Sequence, residues 1–160
     1  MREGLNIDFF HMVKRLYTRN GDNGYTLVSS GRISKDSKLI EIIGSLDSFC
    51  SSLDQCRIDL SKESRISVEK IQDKIINVAV QLLMNKNADR ITKEDIKALE
   101  EQIDKLESPI PANFIRFNSR LSCNLNESRV RCRELERKLV KFLKENKISK
   151  ETYAYVNRLS

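Results

Sequence analysis

Between Ser119 and Asn146 the apolar residues Leu121, Leu125, Cys132, Leu135, Leu139 and Leu143 recur at intervals of three, four or seven, in a stretch without glycine or proline. Such spacing returns side chains to one side of an α-helix. A long helix with one apolar stripe cannot cover that stripe alone, so the rest of the chain has to supply packing partners. Four further segments carry the same period. From Lys38 to about Leu60 the stripe is Leu39, Ile42, Ile43, Leu46, Phe49, Cys50 and Leu53, and from Ile66 to about Met84 it is Val68, Ile71, Ile75, Val78, Ala79 and Leu82. Thr92 has the side chain to cap a third helix with Ile96, Leu99, Ile103 and Leu106 inward, and Ser149 can cap a last one with Tyr153, Val156 and Leu159 inward. Only five glycines and two prolines occur in 160 residues. The expected fold is all-α, an antiparallel five-helix bundle of the ferritin-like or four-helix-bundle type.

Two segments interrupt the helical pattern. Residues 17–37 are rich in Gly, Ser, Asn and Asp, which favours an ordered loop over a helix. Residues 108–118 hold Pro109 and Pro111 and read as a connector, with Phe114, Ile115 and Phe117 as its apolar content. The expected organisation is an N-terminal extension over residues 1–16, with no function assigned to it, and one helical domain over residues 17–160.

Several classes of chemistry have little to draw on. The chain has one histidine, His11, and its cysteines at 50, 56, 123 and 132 lack the CxxC spacing of zinc sites, so a reduced, cytoplasmic protein with packing thiols is expected. Glu3 and Asp8 argue against an acid-poor transit peptide, and no apolar run approaches membrane-spanning length.

The net charge of +6 is concentrated: nine basic residues against four acids between Ser119 and Lys147 carry +5 of it. At about 100° per residue, Arg129, Arg133 and Glu136 flank the apolar stripe at roughly 60 to 120°, and Arg137 lies farther round. Three readings are open at this point. The arginines form a solvated flank paired with Glu134 and Glu136, or they are guanidinium forks for a polyphosphate, or the basic helix binds nucleic acid. The last is the poorest, since neither a recognition motif nor interleaved aromatics accompany the charge. The loop Tyr17-Thr-Arg-Asn-Gly-Asp-Asn-Gly-Tyr-Thr26 has small residues and hydroxyls suited to phosphate oxygens, although it is not a P-loop.

Taken together these segments are far more specific. Tyr17-Thr-Arg-x-Gly-Asp-x-Gly-x-Thr26, Gly31-Arg-Ile-Ser-Lys-Asp36 and Gly44-x-x-Asp47 resemble the opening of the ATP:cob(I)alamin adenosyltransferases of the propanediol-utilisation type. Ser128-Arg-x-x-Cys-Arg-x-x-Glu-Arg137 resembles that family's arginine-rich helix, and Tyr155-Val-Asn-Arg-Leu-Ser160 its terminal signature. The chain departs from the pattern at Ser48, Glu134 and Phe117-Asn-Ser119, where the family usually has Glu, Arg and Pro-Gly-Gly.

The resemblance implies transfer of the 5′-adenosyl group of ATP to cob(I)alamin with release of triphosphate. The alternative is a degenerate member that holds ATP or a corrinoid without turnover. It implies a homotrimer with ATP at subunit interfaces beneath the N-terminal loop, magnesium carried on the ATP phosphates without a direct protein ligand, and cobalamin beside the nucleotide. Thr18, Arg19, Asn20, Gly21, Asp22, Gly24, Thr26, Arg32 and Lys35 would hold the nucleotide, completed by Arg133, Glu136, Arg137 and Asn157. Arg129 and Asp47, tied to catalysis by the resemblance, would form a buried ion pair that orders the site. Phe114 would press on the corrin and exclude its lower axial ligand. A cobalamin reductase and an adenosylcobalamin-dependent enzyme are the implied partners.

Overall fold

The computed structural model describes residues 17–84, 90–106 and 115–160. Five helices dominate it: α1 (Lys38–Arg57), α2 (Lys62–Met84), α3 (Lys93–Asp104), α4 (Arg120–Lys144) and α5 (Lys150–Leu159). Their starts follow local chemistry. Ser37, Thr92, Ser119 and Ser149 each accept a backbone N–H in the first turn of the helix they precede, so a donor that has no intrahelical partner is satisfied. At Thr92 the cap is reciprocal, because Asp95 accepts from the Thr92 N–H at 2.8 Å. α2 begins four residues before the expected Ile66, where Ser61 Oγ accepts from the Ser64 N–H at 3.3 Å.

Cross-helix contacts set the directions. Lys138 reaches Ser45 while Arg120 reaches Asp59, so α4 runs antiparallel to α1. Arg57 to Glu69 together with Gln72 to the Cys50 carbonyl sets α2 antiparallel to α1, and Cys132 to the Val156 carbonyl together with Tyr153 to Glu136 lays α5 back along α4. α3 packs beside α5 and is tied to α2 by Lys74 and Asp95 at 3.0 Å. The helices thus form the expected antiparallel bundle.

Ile42, Leu46, Ile75, Val78, Cys132, Leu135, Leu139 and Val156 fill its centre, each at most 2% exposed. Burying each of the larger aliphatic side chains contributes roughly 1.5–3 kcal/mol. Burial pushes the Cys132 thiol up to about 12, with Glu136 adding to the effect, so this thiol packs and does not act as a nucleophile.

The apolar stripes are shorter than the periodicity suggests. Ile103 in the last turn of α3 and Leu106 just beyond it are 42% and 75% exposed, and Leu125 in α4 is 42% exposed, so these apolar positions find no cover within the chain. Phe142 and Tyr155 take core positions that the stripes omit. Ile115 and Phe117 of the connector remain exposed. The 17–37 segment also differs from a plain loop, for it contains the hairpin β1 (Tyr25–Val28) and β2 (Gly31–Ser34), antiparallel with Thr26 opposite Ile33. Ser29 at its tip donates to the carbonyl of Leu83, which pins the hairpin to the end of α2.

Candidate active site

The first cluster of predicted residues is built by the glycine loop and the hairpin. Gly24 has φ +75°, a conformation that disfavours side chains, and its carbonyl accepts the Lys35 N–H at 2.8 Å, closing the loop onto the far end of β2. Lys35 Nζ donates to the Gly21 carbonyl at 3.1 Å, and a Cβ on Gly21 would lie 2.6 Å from that nitrogen. A side chain at Gly21 would therefore displace the Lys35 ammonium from this position. Thr18 Oγ1 accepts from the Asn20 N–H at 3.4 Å, while the Asp22 N–H bonds to the Arg19 carbonyl in the turn. Arg32 stacks on the Tyr25 ring at 4.9 Å on the outer face of the hairpin, and Thr26 lies on the inner face, half-buried. Thr18, Arg19, Asn20, Asp22, Gly24 and Lys35 are exposed. The loop thus presents hydroxyl, amide and ammonium donors to solvent.

The second cluster lies on α4 and α5. Glu136 accepts from Asn157 Nδ2 at 2.9 Å, from the Tyr153 hydroxyl at 3.3 Å and from Ser160 Oγ at 2.8 Å. Burial raises the pKa of this carboxyl, but those three donors together with the charge of Arg133 outweigh it and hold it below the ordinary carboxylate value. Arg133 and Arg137 are exposed and make no hydrogen bond or ion pair among the described residues. The pairing expected of a solvated flank is absent at these two positions because the acids are committed elsewhere. Glu136 is taken by α5, and Glu134 pairs with Lys138 at 3.0 Å, which lowers its pKa. Lys138 also contacts Glu41 and Ser45, so the extra carboxylate belongs to a polar seam with α1. In the same seam Arg131 donates to Ser48 and pairs with Glu127.

Arg129 and Asp47 do not pair within the chain. Arg129 donates to Asn126 Oδ1 at 3.0 and 3.3 Å, while Asp47 is exposed beside the groove between α1 and α2. Helical phase separates them: Arg129 lies on the α5 side of α4, with Glu136, whereas Asp47 turns toward α2. That groove, about 760 Å³, is lined by Ile40, Ile43, Ile76 and Leu83, with Asp47, Asp54 and Asp73 among its polar groups. Among the described residues, no hydrogen bond or ion pair joins the loop of residues 17–35 to α4 or α5. The structure leaves the two predicted clusters on different faces of the chain. Phe114 lies outside the described residues.

Tyr153 and Ser160 are the site neighbours that motif reading did not single out as partners of Glu136. The available signal is their spacing, since 153, 157 and 160 share one face of a helix.

The sequence pattern of the cobalamin adenosyltransferases matches residues 16–160. The chain belongs to this family. Its relatives include the corrinoid adenosyltransferase of Citrobacter freundii, 32% identical over 156 residues that span 91% of this chain and 89% of that protein. The corrinoid adenosyltransferase of Bacillus subtilis (strain 168) is 30% identical over 156 residues, spanning 91% and 81%. A variant of the PduO-type ATP:corrinoid adenosyltransferase from Lactobacillus reuteri, solved with cobalamin and ATP, shares the fold at a TM-score of 0.79. Its identity is 22% over 91% of this chain and 87% of that one. The five-helix adenosyltransferase bundle with its small hairpin is therefore the architecture of this chain. No described helix is long and apolar enough to cross a membrane.

Proposed function

We propose that this chain transfers the 5′-adenosyl group of ATP to cob(I)alamin. The observation that carries the reading is the pair of unpartnered guanidinium groups, Arg133 and Arg137, beside the Glu136–Asn157 hydrogen bond in a chain of this family. In the reaction, cobalt(I) donates its electron pair to the 5′ carbon of ATP. The bond from that carbon to the triphosphate oxygen breaks, and triphosphate leaves with the bonding pair. No proton has to be removed, so a site without a histidine or an activated thiol is sufficient. What the protein must supply is alignment of carbon with cobalt and fixed positive charge at the departing oxygens. Arg133, Arg137 and Lys35 are suited to the second task, Thr18 to Gly24 with Thr26 and Arg32 to seating the nucleotide, and Asn157 to a polar contact with it.

The groups assigned to the triphosphate are cations, amides and hydroxyls, which suit phosphate oxygens. Among the described residues no three His, Cys, Asp or Glu side chains converge on a common point. Magnesium would be carried on the triphosphate and share in neutralising its charge.

The site needs more than one copy of the chain. Loop and arginine helix stand on different faces, Asp47 and Arg129 are exposed with opposite charge, and the α1–α2 groove couples an apolar floor to an acidic rim. Docking the α4 arginine face of one copy against the groove of the next would bring Arg129 to Asp47 and close a nucleotide pocket between them. A cyclic homotrimer repeats that heterologous contact and closes it. Phe114 is assigned to the corrin. A cobalamin reductase would supply cobalt(I), and an adenosylcobalamin-dependent enzyme would receive the product.

The test is anaerobic incubation of the protein with chemically reduced cobalamin, ATP and magnesium, followed through the visible spectrum. Conversion to a light-sensitive adenosyl form is expected. ATP binding without conversion would point instead to the degenerate member that binds without turnover.

A further inference from the structure

Both oxygens of the Glu136 carboxylate are occupied by α5. Oε1 takes the Tyr153 hydroxyl and the Asn157 amide, and Oε2 takes the Ser160 hydroxyl. Tyr153 and Ser160 are neutral donors without any assigned part in the reaction. An ionised carboxylate is an acceptor only, so it fixes which way the Asn157 amide points. The NH₂ turns inward to Glu136, and the carbonyl turns out, where it accepts from Arg158 Nη1 at 3.2 Å and keeps a second lone pair free. In this orientation Asn157 offers an acceptor for a nucleoside hydroxyl or amino group.

The alternative partner for Glu136 is close at hand. Arg133, one turn back on the same helix, acts on the carboxylate electrostatically yet makes no ion pair with it. A carboxylate released from α5 would be drawn to that guanidinium and would cancel the positive charge needed at the triphosphate.

We propose that Tyr153 and Ser160 are positioning residues for the nucleotide: by saturating Glu136 from α5 they fix the Asn157 amide and leave Arg133 free for phosphate. The inference rests on the adenosyltransferase reading, and it adds two residues and a division of labour between nucleoside and triphosphate recognition.

The experiment is calorimetric titration of the full chain with ATP for wild type, Tyr153→Phe, Ser160→Ala and Ser160→Thr, with melting temperature and affinity for cobalamin measured in parallel. Each variant except the last removes one hydroxyl. Tyr153→Phe and Ser160→Ala should each weaken ATP binding roughly tenfold, as expected for a lost hydrogen bond to a charged group. Melting temperature should fall by no more than a few degrees, as for one hydrogen bond lost at the bundle edge, cobalamin affinity should stay at its wild-type value, and Ser160→Thr should retain wild-type ATP affinity. ATP affinity within about twofold of wild type in both hydroxyl deletions would overturn the proposal. So would a loss of cobalamin affinity as large as the loss of ATP affinity, which marks a merely structural role. A wild-type protein that binds ATP but forms no adenosylcobalamin defeats the catalytic reading alone, because the affinity ratios still report on Tyr153 and Ser160. A wild type that binds no ATP overturns both.

Discussion

Asn157 donates a 2.9 Å hydrogen bond to Glu136, joining the terminal segment of the chain to the arginine helix across 21 positions of sequence. The two motifs are thereby one structural unit. Neither the arginine face nor the terminal signature can be altered alone without consequence for the other.

Glu136 should accordingly mark the acid stability of the protein. Its folded-state pKa lies below the ordinary 4.5, chiefly because the donors of Ser160, Asn157 and Tyr153 overcome the opposing effect of burial. A depressed carboxylate contributes stability that is fully present above the unfolded value and is lost as pH falls through the lower folded value. Chemical denaturation of Glu136→Gln should show a loss on the order of 1 kcal/mol at neutral pH. That loss should shrink below about pH 4.5. A loss that stays constant through the acid range would show that the charge is irrelevant.

Arg129 and Asp47 are predicted to act together between copies. Arg129→Ala should alter the stability of the isolated fold by no more than about 0.5 kcal/mol, since the side chain is exposed and, among the described residues, bonded only to Asn126. Its adenosylation rate should fall on the order of 100-fold, as when a pair that is buried on assembly loses one partner. The exchange Asp47→Arg with Arg129→Asp should recover more activity than either single change. A double variant no better than the singles would break the proposed link.

Gly21→Ala tests the loop. The new Cβ would fall 2.6 Å from Lys35 Nζ, the far end of a flexible side chain, so the lysine can swing away and the fold survives. Melting should therefore move little, while ATP affinity drops by roughly tenfold as Lys35 leaves its place over the loop. An unchanged dissociation constant would remove Lys35 from the nucleotide site.

Leu139→Ala tests the core. Leu139 is 0% exposed at the centre of the bundle, and its truncation should cost about 2–5 kcal/mol in denaturant unfolding. A cost near that of an exposed position would mean that the centre of the bundle lies elsewhere.

The period of the leucine and isoleucine stripes was enough to specify five helices, because each stripe has to be covered and short links leave few ways to do so. The caps Thr92 and Ser149 were also legible, since capping depends on residues within one turn. The hairpin was not, for Tyr25–Val28 and Gly31–Ser34 are short strands inside a polar stretch whose pairing depends on a two-residue turn and on an anchor at Leu83 far along the chain. The resemblance named Glu136, Arg133 and Asn157 but could not say that Glu136 is held by Tyr153 and Ser160. Nor could it say that Glu134 is absorbed by Lys138 or that Arg129 faces away from Asp47. Those outcomes turn on helical phase and on which neighbour claims each charge first. Local sequence fixes which side of a helix is apolar, whereas the partners of its polar flanks are chosen only when the helices pack.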